Sequence, residues 1–376
     1  MKSFLNMVKI LYDNPYDVVL GRCKNKKCIF LLAKDEPNAV EANILEQFLS
    51  AGIPIIGIIS SVNEGNILGV RRYDYSKISE LAKEAQAALA LPGFMLYTLA
   101  DYFINKGLQP IAVMDGSIAA ERRQYVFNHL DDYYETYEML KDEDSRKTFL
   151  GDILAETTYC LDYTIFAPEA QYMLAGFTPG KGDITIDGGC YDGAVARDYS
   201  QMGADVYAFE MDGVNYPACS EAGKEYGFYI ENKGLWCGRM TQRYTVSDTS
   251  SRVSNCGNAI AEFVDIDSFA VEKKLPRVDC IKMDIEGAEL EALKGAASVI
   301  SRFKPKMAIS AYHKPEDSWT LARYIRSLRP DYEFYWRHYP TLIAGYWKDE
   351  RYINIRRSLG LGGTIQAVWE KVLYCK

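Results

Sequence analysis

The segment Ile184-Thr-Ile-Asp-Gly-Gly-Cys-Tyr-Asp-Gly193 constrains this chain more than any other. A short β-branched run ends in an acid and enters a glycine-rich turn, the pattern of a buried strand breaking sharply into a helix. A second apolar run, Val206-Tyr-Ala-Phe, follows and ends in Glu210, 23 residues after Asp187. Strand, tight turn, helix, strand and terminal carboxylate make up a nucleoside-binding α/β unit. In such a unit glycines let the backbone approach the ligand, and the acid closing the second strand accepts both ribose hydroxyls. The dinucleotide fingerprint G-x-G-x-x-G is not met, because it would need a glycine at Cys190. The spacing Asp187-x-Gly189-x-x-x-Gly193, with no dedicated pyrophosphate turn, suits S-adenosylmethionine better than NAD.

The rest of the chain narrows the classes. A length of 376 residues accommodates two domains. A formal charge of −8 argues against a nucleic-acid partner, which would want a basic face. The N-terminus has no apolar signal segment, and no stretch approaches the length of a membrane span, so a cytoplasmic protein is expected. Nine cysteines, odd in number and without a C-x-x-C pair, speak against a zinc site and a disulfide framework. Reduced, mostly buried thiols are the simpler expectation.

Two α/β regions follow from the hydrophobic pattern. In the first, at 1–120, Cys28 to Ala33, Ile53 to Ser61 and Ile111 to Met114 read as buried strands. Ala39 to Leu49, the alanine-rich Glu80 to Leu91, and Met95 to Lys106 read as helices. The first turn there, Ala33 to Asn38, has no glycine for a phosphate cradle, which points to a scaffold. Residues 121–180 read as a polar, aromatic helical connector closed by the turn-rich Phe177 to Gly182. From 181 to 376 strands and helices alternate as in a doubly wound sheet, with further strands at Val278 to Asp284 and Lys306 to Tyr312. A helix is expected across Leu290, Leu293, Ala297 and Ile300. Two last strands, Tyr332 to Arg337 and Gln366 to Tyr374, lack a helical pattern between them and are expected to form an antiparallel hairpin at the sheet edge.

Several of these pieces together resemble the FkbM methyltransferases. They are Ile186-Asp-Gly-Gly-Cys-Tyr-Asp-Gly193, Tyr207-Ala-Phe-Glu210, Ile309-Ser-Ala-Tyr-His313, Val372-Leu-Tyr374 and the long motif Ile281-Lys-Met-Asp-Ile-Glu-Gly-Ala-Glu-Leu-Glu-Ala-Leu-Lys-Gly-Ala296. The resemblance covers roughly residues 145 to 376 and extends to Asp144 to Phe149 and Gln171-Tyr172 in the connector. It implies a class I methyltransferase fold, Rossmann-like, with S-adenosylmethionine as cofactor. It also implies O-methylation of a small-molecule or glycan acceptor. Cys190-Tyr191 departs from the small or amide residues commoner at that point of the family's cofactor turn.

Candidate site residues follow from position. Asp187, Gly189, Gly193 and Glu210 are expected to hold the cofactor at the carboxyl edge of the sheet. Asp284 and Glu286, where a strand gives way to a helix, face the place a methyl acceptor must occupy, although an acid there also suits a helix N-terminus. His313 closes the next strand, and its near-neutral pKa makes it the candidate general base, with Asp284 or Glu286 orienting the acceptor or the histidine. These three groups could instead hold Mg²⁺, but nothing else in the ligand inventory points to a metal, and none is expected. Tyr335, Trp336, Tyr339, Tyr346 and Trp347 either pack a core or floor an acceptor cleft. The competing readings are a NAD-linked oxidoreductase or epimerase, and a non-catalytic S-adenosylmethionine-binding assembly module.

Overall fold

The computed structural model describes residues 2–12, 15–32, 35–61, 65–91, 94–112, 116–158, 160–247, 251–343, 350–361 and 365–376. The chain divides into two compact units, and neither is a continuous stretch. The first comprises 1–131, 147–166 and 340–369; the second comprises 132–146, 167–339 and 370–376. The boundaries expected at 120 and 180 therefore do not coincide with the units. The connector is shared out between them, and 340–369 returns to the first. The helix Glu350–Ser358 in that returning piece was not anticipated. Within its charge-rich sequence Ile355 is buried and packs with Leu359 and Leu361 into the first unit's core.

The first unit is built on a six-stranded sheet. Its strands are Cys28–Leu31 (β1), Ile55–Ser60 (β2), Asn66–Ile67 (β3), Val70–Asp74 (β4), Ala87–Ala90 (β5) and Gln109–Ala112 (β6), in the order β3-β4-β2-β1-β5-β6. All the pairings from β4 to β6 are parallel. Continuous apolar runs form β1, β2 and β5, as expected where both faces of a parallel sheet are covered. That burial also overturns the helix expected over 80–91. Ala87 to Ala90 are buried and paired between β1 and β6, so tertiary context outweighs alanine's helix preference. The helix Ala39–Ser50 begins at Asn38, whose side chain accepts from the N–H groups of Val40 and Glu41 in a capping box. Those donors are thereby paired within the protein.

The second unit carries the motifs. Its main strands are Ile184–Gly188 (β7), Asp205–Phe209 (β8) and Tyr229–Glu231 (β9), and later Cys280–Met283 (β14) and Lys306–Ser310 (β15), together with the 334–339 part of Phe334–Ile343 (β16) and the 370–375 part of Ile365–Cys375 (β17). Between them, Gly234–Leu235 (β10), Met240–Thr245 (β11), Arg252–Val253 (β12) and Ala259–Val264 (β13) form a separate four-stranded sheet that the sequence reading did not assign. The main sheet runs β16-β17-β15-β14-β7-β8-β9. Five strands are parallel, and β17 lies antiparallel to β15. The two edge strands were expected, but the helix Glu350–Ser358 intervenes, so they are not joined as a simple hairpin. From β7 the chain winds one way through β8 and β9, and from β14 the other way through β15. The crevice at a doubly wound sheet's switch point therefore opens at the carboxyl ends of β7 and β14. The helix expected across 290–300 is two helices, Glu289–Lys294 and Ala297–Phe303. The chain breaks at Gly295, where a Cβ would lie 2.1 Å from the Trp236 carbonyl oxygen.

Candidate active site

The strand β7 delivers a turn whose every conformation has a local cause. Gly189 has φ +72°, and a Cβ there would fall 1.8 Å from the Asp284 carbonyl oxygen, so the turn after β7 presses directly on the turn after β14. Gly193, at φ +83°, opens the helix Ala194–Gln201 and packs so close to Ala222 and Phe228 that a Cβ would stand 3.0 and 3.1 Å from them. Tyr191 adopts φ +52° without the freedom of glycine. Its N–H donates to Glu210 Oε2 at 2.9 Å, and the Asp212 N–H donates to Glu210 Oε1 at 2.8 Å. Glu210, 7% exposed at the end of β8, is thus gripped by two backbone donors. Burial raises its pKa while those two hydrogen bonds oppose the rise.

Asp187 occupies a different place from the one its sequence position suggested. It is 0% exposed. In the parallel register it stands opposite Lys282 of β14, whose Nζ lies 3.0 Å from Asp187 Oδ1. The same ammonium donates to the Gly189 carbonyl at 2.7 Å and the Gly188 carbonyl at 3.3 Å, and sits 5.1 Å from the Tyr172 ring centroid. Asp187 therefore reaches the turn after β7 through Lys282 and presents no carboxylate to the crevice. The turn also holds a covalent cross-link. Cys190 and Cys219 are a disulfide pair with Cα atoms 6.9 Å apart, which corrects the expectation of reduced thiols throughout. The β7–helix–β8 unit brings together two cysteines that are 29 residues apart. Of the seven free cysteines, Cys237 and Cys256 are exposed and the others buried.

The ends of β14 and β15 bring Asp284, Glu286 and His313 together, as expected, and add Glu289 and Tyr172. Glu286 and Gly287 have φ +54° and +91°, so the chain doubles back after β14 and turns both acids toward β15. His313 Nδ1 lies 2.9 Å from Glu289 Oε1, which also accepts the Ile285 N–H at 2.9 Å. His313 Nε2 is 3.4 Å from Asp284 Oδ1 and 3.6 Å from Glu286 Oε2. On the far side of Asp284, the Tyr172 hydroxyl donates to Oδ2 at 2.8 Å and lies 2.9 Å from Ser310 Oγ. Gln171 Nε2 bridges the Tyr172 hydroxyl and Glu370 Oε2, each at 3.0 Å.

This arrangement reverses the role expected of His313. Burial acts to lower its pKa, but the carboxylates of Glu289, Asp284 and Glu286 outweigh burial and push it up to about 10. A histidine in that state holds its proton at neutral pH and is not a general base. Glu286 moves the other way from an ordinary acid, because burial pushes it up to about 7 against the pull of His313. His129 belongs to the first unit, beside Tyr125, and His338 is buried in β16; neither meets the cluster. Trp336 and Tyr339 are core residues, with the Tyr339 hydroxyl 2.8 Å from that of Tyr374. Tyr346 and Trp347 lie outside the described residues.

Lys282, Glu289 and Tyr172 are the site residues that sequence reasoning left unassigned. Lys282 carried a readable signal: a lone ammonium amid apolar neighbours in a strand covered on both faces requires a buried anion. Glu289 looked like an ordinary first-turn helix acid, and only the adjacency of β14 and β15 shows that it reaches His313.

Residues 189–335 match the family model of the methyltransferase FkbM domain. That stretch of the chain is similar to the FkbM methyltransferase domain. The matched stretch takes in every candidate residue except Asp187, and it supports a methyltransferase. A crystal structure of methyltransferase FkbM from Methylobacillus flagellatus is similar over the whole length, with TM-score 0.59 and 20% identity, covering 100% of this chain and 98% of that one. At that identity the likeness is one of fold. A precorrin-6Y C5,15-methyltransferase from Geobacter metallireducens matches less closely, with TM-score 0.32 and 8% identity over 56% of this chain and 93% of its own. No curated protein sequence matches. Among the described residues no helix is long and apolar enough to cross a membrane.

Proposed function

We propose that this FkbM-family chain is a cytoplasmic, S-adenosylmethionine-dependent methyltransferase that methylates a hydroxyl of a sugar, glycan or related small molecule. The observation that carries the cofactor assignment is Glu210. A buried carboxylate at the end of β8, beside the switch point, is held in place by backbone donors from Tyr191 and Asp212. A carboxylate has about four acceptor sites. One backbone N–H on each oxygen leaves both oxygens able to accept a ribose hydroxyl, so the residues present fit the group. When bound, S-adenosylmethionine supplies an activated methyl on its sulfonium, and the protein's task is alignment for an in-line displacement.

The chain's own residues divide that task. Gly189 to Tyr191 bring the backbone close to the nucleoside, and Lys282 and Asp187 hold that turn to β14. Asp284 and Glu286, at the end of β14, stand on the acceptor side and can accept a hydroxyl's hydrogen bond as the new bond forms. Tyr172 and Ser310 fix the orientation of Asp284. The NAD-linked alternative has no observation in its favour, since the residue at 190 is a cysteine.

Calorimetric titration of the full chain with S-adenosylmethionine and S-adenosylhomocysteine tests the reading, with Glu210→Ala beside it. Saturable binding that the substitution weakens at least ~100-fold, the order of two lost charge-assisted hydrogen bonds, supports the assignment. Absence of binding by the folded chain refutes it, and quenching of nicotinamide fluorescence would favour the oxidoreductase. Binding without turnover on any acceptor would favour the assembly module.

A further inference from the structure

The cluster beyond β14 and β15 contains an imidazole nitrogen with no hydrogen-bond partner. The side chain of His313 is 7% exposed, and its Nε2 is buried without a hydrogen bond. The tautomer is set from the other side. Glu289 Oε1 accepts the Ile285 N–H and can only accept from His313, so Nδ1 carries the proton that it donates. Nε2 faces Asp284 Oδ1 at 3.4 Å and Glu286 Oε2 at 3.6 Å. A proton on Nε2 reaches neither oxygen in a hydrogen bond, whereas a divalent ion displacing that proton would take the Nε2 lone pair and both carboxylates together.

We infer that His313 Nε2, Asp284 and Glu286 form a binding site for one divalent transition-metal ion. One ligand atom from each of the three lies within 4.8 Å of the others, and no ion is present. Metal bonds of about 2.1 Å in tetrahedral geometry give ligand-to-ligand edges of about 3.4 Å, so the two observed nitrogen–oxygen separations fit around a single ion with little movement. Glu289 completes the arrangement that metal-bound histidines use, a carboxylate accepting from the nitrogen that does not coordinate. Two carboxylates balance the charge of a divalent ion, whereas a proton on Nε2 leaves three acids around one positive charge. One imidazole with two carboxylates suits Mn²⁺ or Zn²⁺ better than Mg²⁺ or Ca²⁺, which prefer oxygen alone.

A neighbouring trio, Glu289, His313 and Asp317, is also compact. Its atoms are already engaged: Nδ1 with Glu289, and Asp317 Oδ2 with the Lys314 N–H at 2.7 Å. The ion therefore sits on the Nε2 side, at the carboxyl end of β14. On the methyltransferase reading, its open positions take the acceptor hydroxyl and lower that hydroxyl's pKa, which assigns His313 to the metal and frees it from acting as base.

The test uses the full chain stripped with a chelator and titrated with Mn²⁺ alone, the free ion being followed by electron paramagnetic resonance. One equivalent is expected to bind, Zn²⁺ is expected to compete, and His313→Ala is expected to lose measurable affinity. Glu289→Gln should weaken binding roughly 10- to 100-fold. Glu286→Gln guards against a folding artefact, because that side chain is 25% exposed; it should weaken Mn²⁺ at least ~10-fold while circular dichroism is unchanged. No saturable Mn²⁺ or Zn²⁺ binding by the folded chain overturns the inference, as does affinity that survives both His313→Ala and Glu286→Gln. Titration with S-adenosylhomocysteine on the same samples separates the two readings. Its binding without metal refutes the metal site alone, and metal binding without it refutes the cofactor assignment alone.

Discussion

Replacing Lys282 by Met asks whether the pair beneath the cofactor turn is structural or touches ligand. The substitution keeps the length of the aliphatic stem and removes the ammonium. It leaves Asp187 at 0% exposure with no counter-ion, and it removes the donor to the Gly188 and Gly189 carbonyls. Removing one partner of a buried ion pair costs about 3–5 kcal/mol. For a unit of this size each kilocalorie shifts the melting temperature by about 2–4 °C, so the second unit should melt roughly 6–20 °C lower. Asp187→Leu should cost a similar amount by stranding Lys282. The double variant should cost clearly less than the two singles together, because the second substitution removes the charge stranded by the first. Scanning calorimetry of the four proteins gives the cycle. The reasoning fails if Lys282→Met changes stability by under ~1 kcal/mol, or if the two substitutions are additive. It also fails if Asp187→Asn abolishes S-adenosylhomocysteine binding at unchanged stability, for then Asp187 contacts the cofactor.

Further outcomes follow from the same geometry. Gly189→Ala combines about 1–2 kcal/mol of left-handed strain with displacement of the Asp284 carbonyl, so urea unfolding should reveal a loss of at least ~2 kcal/mol; an unchanged midpoint would contradict the contact between the two turns. Tyr172→Phe removes the hydroxyl shared by Asp284 and Ser310, and should cost about 1–3 kcal/mol and lower turnover more than cofactor affinity, as comparison of kcat with calorimetric Kd will show. On the proposed reading the ionised form of Glu210 accepts the ribose, and burial raises its pKa; S-adenosylhomocysteine affinity should therefore fall on acidification already above the usual carboxylate range, and Glu210→Gln should flatten that profile. Reducing the Cys190–Cys219 bond releases a loop of 29 residues and should lower stability by up to ~3.5 kcal/mol, read as the melting temperature with and without dithiothreitol.

What the sequence disclosed depended on how local each signal was. The turn from Asp187 to Gly193 and the acid at Glu210 belong to one α/β unit, and spacing alone placed them at the switch point. Asp284, Glu286 and Glu289 lie within six residues of one another, yet their joint effect on His313 depends on β14 pairing with β15, which spacing does not express. For that reason the histidine looked like a free base and is in fact enclosed by acids. Ala87 to Ala90 misled in the opposite sense: a local preference for helix was overruled by neighbours on both sides. The helix at 350–358 escaped notice because its sequence, Glu350 to Ser358, is rich in charged and polar residues.

The division of the chain into interleaved pieces bears on how the protein is made. Strand β17 lies between β15 and β16 yet follows both in the chain, so during synthesis the neighbour of β15 is absent until residues 365–375 emerge. Up to that moment β15 is an open edge carrying unpaired backbone groups, the kind of surface that recruits other chains. Cutting the gene at 181 to isolate the catalytic half would leave 340–369 attached without the core that Ile355 completes. The half carrying the chemistry is thus best produced with the other half present. Variants that slow the arrival of β17 should first show up as lost soluble yield, before any loss of rate in the molecules that do fold.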